Sequence, residues 1–165
     1  MENANIKIVE ILKKRGMTLA IAESLTGGLV SSAICGVPGA SEVLLEGVVS
    51  YTDESKITRL GVRRETLEIH TSVSSQTAAE MAEGVRKNLG ADIGISTTGV
   101  AGPGETDENA NPRGLVYVGL SSGNETSVSR HMFDGTRNAI REQAKDICLE
   151  RLYEILYEKE RKNND

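Results

Sequence analysis

Short aliphatic runs alternate with amphipathic helical segments along this chain, and few architectures accommodate that rhythm. The N-terminal stretch MENANIKIVEILKKRG carries Ile6, Val9, Ile11 and Leu12 at helical spacing and stops at Gly16. Thr18–Ala22 reads as a buried strand, and LTGGLVSSAI after Ser24 reads as helix. Val43–Tyr51 is β-branched and predicts a second strand. Thr52 and Asp53 are N-cap residue types that open a short helix over DESKITRL, closed by Gly61, and a second short helix covers RRETLEIH. Ser74 or Ser75 caps a longer helix with an apolar face of Ala78, Met81, Ala82, Val85 and Leu89. Ala91–Ser96 is a third strand. The glycine- and acid-rich GVAGPGETDENANPRG that follows is a long loop, with Gly104–Pro112 as a candidate lid. Leu115–Leu120 and Ser127–Phe133 form a hairpin through Ser122-Gly123-Asn124. A final helix runs from about Thr136 to Lys159, striped by Ile140, Ala144, Ile147, Cys148, Leu152, Ile155 and Leu156. Strands alternating with helices and ending in a hairpin predict one three-layer α/β/α domain with a mixed sheet, spanning residues 1–165.

Composition removes several function classes. The net charge is −5 and only five residues are Phe or Tyr, with no Trp, so neither a basic face nor stacking platforms for nucleic acid are present. No apolar stretch approaches the ~20 residues of a membrane-spanning helix, and the first residues lack the apolar core of a signal peptide. A cytoplasmic location is expected. Two His and two Cys, with no CxxC spacing, argue against a metal site. The thiols of Cys35 and Cys148 read as small buried hydrophobes in a reducing compartment. No cofactor is expected. A small α/β enzyme commonly self-associates with closed symmetry, so a homo-oligomer is expected.

Four stretches bear on chemistry. In AESLTGG, Ser24 stands where a strand gives way to a helix, so unpaired N–H groups there would favour an oxyanion. The poor helix formers Gly27 and Gly28 would let something approach the backbone closely. Ser24 acting only as an N-cap is the plainer alternative. In SYTDESK, Tyr51 ends a strand and Lys56 falls at the start of a helix. The macrodipole there disfavours the charged amine and would make it a base for a serine. A solvated surface lysine is the ordinary alternative. TTGVAGPG follows a strand directly, where α/β proteins bind ligands, but its glycines do not match a dinucleotide fingerprint. Arg137 and Arg141 share a helix face and suit either a phosphate or an ion pair with Asp134. His131 reads as structural. His70 flanks the HTSVS stretch, but no GxSxG elbow supports a Ser–His–Asp triad.

AESLTGG, SYTDESK, HTSVS, TTGVAGPG and GTRNAIR occur in this order, and the set resembles the CinA C-terminal family of nicotinamide-nucleotide amidohydrolases, over about residues 5 to 157. The resemblance implies a stand-alone form of that domain. It implies hydrolysis of the carboxamide of nicotinamide mononucleotide to nicotinate mononucleotide and ammonia, with a small nucleotide as substrate. It places Ser24 as nucleophile and Tyr51 and Lys56 as its catalytic support. Glu23, Thr26, Gly27, Gly28, Thr98, Gly99, Ala101 and Arg137 become substrate-binding positions. Leu25 departs from the small or polar residue, commonly Cys, expected after the nucleophile, a change that bears on the pocket lining more than on the chemistry. The scheme has Lys56, directly or through Tyr51, take the Ser24 proton, with N–H groups near Thr26–Gly28 or Gly99–Val100 holding the oxyanion. The competing readings are a catalytically inactive pyridine-nucleotide or protein-binding module, and a hydrolase of another small amide.

Overall fold

A computed structural model describes residues 3–102 and 111–162. Five strands form one sheet in the order β2-β1-β3-β4-β5: β1 (Leu19–Glu23), β2 (Leu44–Val49), β3 (Ile93–Gly99), β4 (Leu115–Ser122) and β5 (Glu125–Met132). β1 runs parallel to β2 and β3, while β4 is antiparallel to both β3 and β5. The helices are α1 (Ala4–Arg15), α2 (Leu29–Cys35), α3 (Asp53–Leu60), α4 (Arg64–His70), α5 (Ser75–Asn88) and α6 (Arg137–Lys162). This is the expected three-layer α/β arrangement with a mixed sheet. The proposed lid falls mostly on residues 103–110, outside the described residues.

The two faces of the sheet are built from different side chains, and the strand period of two sorts them. On one face Leu19, Ile21, Ile93, Ile95, Val116, Val118 and Leu120 pack against α1, α2 and α6. On the other, β1 presents only Ala20 and Ala22, which join Leu60, Met81 and Val85 of α3 and α5. Small residues continue across this second face. A Cβ on Gly94 would lie 2.1 Å from the Ala82 carbonyl oxygen, and one on Gly119 would lie 2.3 Å from that of Ala78. Ser96 instead uses its hydroxyl, donating to the Ala78 carbonyl at 2.6 Å. The helix α5 therefore lies with its backbone almost against the sheet. It approaches α3 just as closely, because a Cβ on Gly84 would meet the Leu60 carbonyl oxygen at 1.8 Å.

Several local expectations change. Ile6 is 41 % exposed, and the buried stripe of α1 is Ala4, Ile8, Val9 and Leu12. Leu89 lies just past α5 and is 55 % exposed. Cys35 is exposed at the end of α2, whereas Cys148 is buried as expected. LTGG is a turn and not the start of a helix: Gly27 and Gly28 have φ of 59° and 102°, and α2 begins at Leu29. A left-handed backbone, open to glycine at little cost, accounts for both residues.

Gly84→Ala tests the α3–α5 contact. The added methyl must displace backbone, so thermal denaturation should show a loss of ~2–3 kcal/mol. An unchanged melting temperature would mean the two helices are not held this tightly.

Candidate active site

The parallel strands β1 and β3 end side by side, and the polar residues gather at that end. Ser24 stays in the ladder, its N–H donating to the Thr97 carbonyl at 3.0 Å. Two positions beyond Ala22, it points to the α3–α5 side. Lys56 reaches it from the first turns of α3. That helix starts at Asp53 because the Thr52 hydroxyl caps the N–H of Ser55 at 3.2 Å. Lys56 Nζ lies 3.3 Å from Ser24 Oγ and 3.3 Å from the backbone carbonyl oxygen of Tyr51. The lysine is only 2 % exposed and Ser24 8 %, so the solvated-lysine alternative does not hold. Burial pushes the Lys56 amine below its ordinary value of 10.5, and Asp53 on the same helix pulls it partly back.

A pocket of about 230 Å³ opens over this pair. Its walls include Ser24, Leu25, Tyr51, Lys56, Thr98, Gly99, Ala101 and Arg137, together with Ser72, Val73, Val100 and Gly102. Tyr51 is 55 % exposed at the mouth, where its hydroxyl accepts from Arg137 Nη2 at 2.9 Å. The phenol is thus turned to Arg137, and it is the carbonyl of Tyr51 that meets Lys56. Among the described residues the phenol makes no hydrogen bond to Ser24 or Lys56. Thr98 donates its hydroxyl to the Ser72 carbonyl at 2.6 Å and so fastens the HTSVS loop to the end of β3. Ser72 and Val73 are the wall residues that sequence reasoning left unassigned, although it had singled out their stretch.

Four expected binding residues do not line this pocket. Glu23, one residue before Ser24, faces the opposite side of the sheet and is fully buried. Its carboxylate accepts from the N–H groups of Gly28, Val30 and Ser31 at 3.0, 3.1 and 2.8 Å and from the Ser31 hydroxyl at 2.6 Å. The N-terminus of α2 is therefore occupied by a protein carboxylate and is not directed at an oxyanion. Thr26 is buried and shares a 2.7 Å hydrogen bond with the Thr97 hydroxyl. Gly27 donates its N–H to the Ser24 carbonyl, and Gly28 donates to Glu23. Val100 N–H is likewise committed, to the Leu115 carbonyl at 2.9 Å. Arg141 is paired with backbone carbonyls, not with Asp134. It clamps the turn, donating to the carbonyls of Leu25 and Thr26 at 2.9 and 3.0 Å. His70 is exposed outside the pocket. His131 on β5 bonds Ser129 and stacks on Phe133, as a structural residue does.

A larger groove of about 590 Å³ lies by the β4–β5 turn, at the opposite end of the sheet from Ser24. Neither Ser24 nor Lys56 reaches it. Among the described residues no cluster of three His, Cys, Asp or Glu side chains is placed to hold a metal ion. No helix among them is long and apolar enough to cross a membrane.

Lys56→Met tests the burial of the amine. Because the folded value lies below 10.5, the unfolded chain binds more protons between the two, and stability climbs with pH across that window. Below the folded value the full desolvation penalty applies. The variant should lose this climb and, at neutral pH, should be ~1–2 kcal/mol more stable than the parent. Chemical denaturation at several pH values reads both, and parallel curves would contradict the buried amine.

Comparison with known proteins bears on the family and the fold. Residues 1–156 match the CinA C-terminal domain. A "Putative competence-damage inducible protein" of Clostridioides difficile is 51 % identical over 145 residues, 88 % of this chain and 34 % of that protein. A "CinA-like protein" of Kosmotoga olearia is 48 % identical over 144 residues, with 87 % and 34 % covered. The chain thus spans about a third of the length of the curated relatives it matches. Among solved structures, a CinA superfamily protein from Klebsiella pneumoniae superposes with a TM-score of 0.89 at 34 % identity, covering 94 % of this chain and 96 % of that one. A competence or damage-inducible protein from Enterobacter asburiae gives 0.88 at 37 %, covering 93 % and 96 %. The chain belongs to the CinA C-terminal domain family.

Proposed function

We propose that this domain hydrolyses the carboxamide of nicotinamide mononucleotide, with Ser24 as nucleophile and Lys56 as its base. The observation that carries the reading is the 3.3 Å approach of a buried Lys56 amine to the Ser24 hydroxyl. A lysine held below its ordinary value is a competent general base, and no histidine is needed.

Neutral Lys56 takes the Ser24 proton as Oγ bonds to the amide carbon. The Lys56 ammonium then returns that proton to the amide nitrogen, the C–N bond breaks, and ammonia leaves. Water, deprotonated by the same amine, attacks the acyl ester and releases the carboxylic acid with Ser24 restored. With the N–H groups of Gly27, Gly28 and Val100 committed, the oxyanion falls to other backbone donors of the pocket wall, such as the N–H groups of Leu25, Ser72 and Ala101. Arg137 at the mouth suits the substrate phosphate, since a guanidinium binds phosphate oxygens in pairs. Its contact with Tyr51 holds it there. Leu25 supplies an apolar wall beside the pyridine ring.

Ammonia release from nicotinamide mononucleotide by the parent and by Ser24→Ala, measured side by side, tests the proposal. The parent should turn over, and the variant should lose about 10⁴-fold or more in kcat. Equal turnover by both would remove Ser24 from the chemistry. No release by either folded protein would remove this substrate.

A further inference from the structure

Ser50 presents a hydroxyl that the scheme above does not use. It is fully buried, and its Oγ has no hydrogen-bond partner among the described residues. Such a group carries a desolvation cost, and native structures seldom leave one without a role. Its backbone continues the parallel ladder, donating to the Glu23 carbonyl at 2.8 Å, with Glu23 paired to Val49. Ser50 therefore lies beside Ser24, one strand over. Alternation sets its direction. Val48 and Ala22 both pack on the α3–α5 side, so Ser50 and Ser24, two residues on, face that side too. The Lys56 side chain descends from α3 onto the same face, and its Nζ contacts the residues flanking this spot, Ser24 and Tyr51.

An ammonium has three donors, and the structure supplies Lys56 with two acceptors, Ser24 Oγ and the Tyr51 carbonyl. Once Ser24 Oγ has bonded to the amide carbon, it is an ether-like oxygen of the tetrahedral intermediate and accepts poorly. The protonated lysine then needs another partner while it delivers its proton to the leaving nitrogen. We propose that Ser50 is a positioning residue whose buried hydroxyl accepts a hydrogen bond from Lys56 whenever its amine is protonated, in the free protein as well as during turnover. This rests on the Ser24–Lys56 reading of the site. The other charged or titratable groups around Lys56 are Asp53 on its own helix, with Tyr51 and Arg137 across the pocket. The walls from β3 and from the segment before α5, namely Thr98, Gly99, Ser72 and Val73, carry no charge.

The test is a ¹³C NMR titration of protein labelled at lysine Cε, with the Lys56 signal assigned by Lys56→Met. Parent, Ser50→Ala and Ser50→Thr are compared, and ammonia release is followed in parallel. An acceptor favours the ammonium, so its loss in Ser50→Ala should move the Lys56 midpoint down by ~0.5–1 pH unit. The acid limb of kcat/KM should move with it, and kcat should fall about tenfold at unchanged KM. Ser50→Thr, which keeps the hydroxyl, should restore both. Ser50→Ala removes an unpaired polar atom, so it should fold at least as stably as the parent, and a lost effect cannot be blamed on unfolding. A Lys56 midpoint that stays put or rises in Ser50→Ala overturns the proposal. The titration needs no turnover, so it decides the role of Ser50 even if the amide substrate proves wrong.

Discussion

Adjacent residues of a strand point to opposite faces, and at the end of β1 this separates a carboxylate from a hydroxyl. Glu23 goes to the α2 side and satisfies three N–H groups there, together with the Ser31 hydroxyl. Ser24 goes to the α3–α5 side and meets Lys56. If both faced the same pocket, the carboxylate would pair with the lysine and hold it charged. With Glu23 spent on the helix terminus, Lys56 has only hydroxyl and carbonyl oxygens within hydrogen-bond reach, and its amine can lose its proton. Glu23 and Arg141 also anchor the two ends of one turn: Glu23 takes the N–H of Gly28, and Arg141 takes the carbonyls of Leu25 and Thr26. The backbone beside Ser24 is thus fixed from both sides of the sequence.

The same face of the sheet explains how a lysine can be buried at all. Small residues, Ala20, Ala22, Gly94 and Gly119, let the helical layer lie close to the strands. The helix that lies this low is α5, α3 packs closely on it through Gly84, and from α3 the Lys56 side chain reaches Ser24 at the sheet end, where it is buried. Desolvation of the amine then follows from packing. It costs stability, as active sites commonly do, and the same desolvation lowers the amine from its ordinary value and favours its neutral, basic form. The Thr98 to Ser72 bond extends the enclosure by tying the loop after α4 to the strand end.

Much of this was legible in the sequence. The bounds of α3 follow from Thr52 and Gly61, and the stripe of α6 from its helical spacing, because caps and periodicity are local signals. The pairing of Ser24 with Lys56 was legible through chemistry and resemblance. Resemblance puts Glu23 among the binding positions, but the strand period of two turns it away from Ser24 and onto the α2 side. The LTGG turn was read as helix because its glycines were taken as permitting a close approach, when they serve a left-handed backbone. Ser72 and Val73 needed a contact 26 residues away in sequence, from Thr98, and no local pattern announces such a contact. The buried face of α1 is set by its packing on α6, so Ile8 lies within it and Ile6 outside, with Ile11 packed at its edge.

The claim on which the account depends is that Lys56 activates Ser24. An active-site phosphonate probe tests it without assuming any substrate, through the mass of the labelled peptide and the labelling rate against pH. The account predicts a single adduct on Ser24, forming faster as pH rises through the lowered lysine value, and lost in Lys56→Met. Labelling of Ser24 that proceeds undiminished in Lys56→Met, or no labelling of Ser24 in the folded parent, would contradict it.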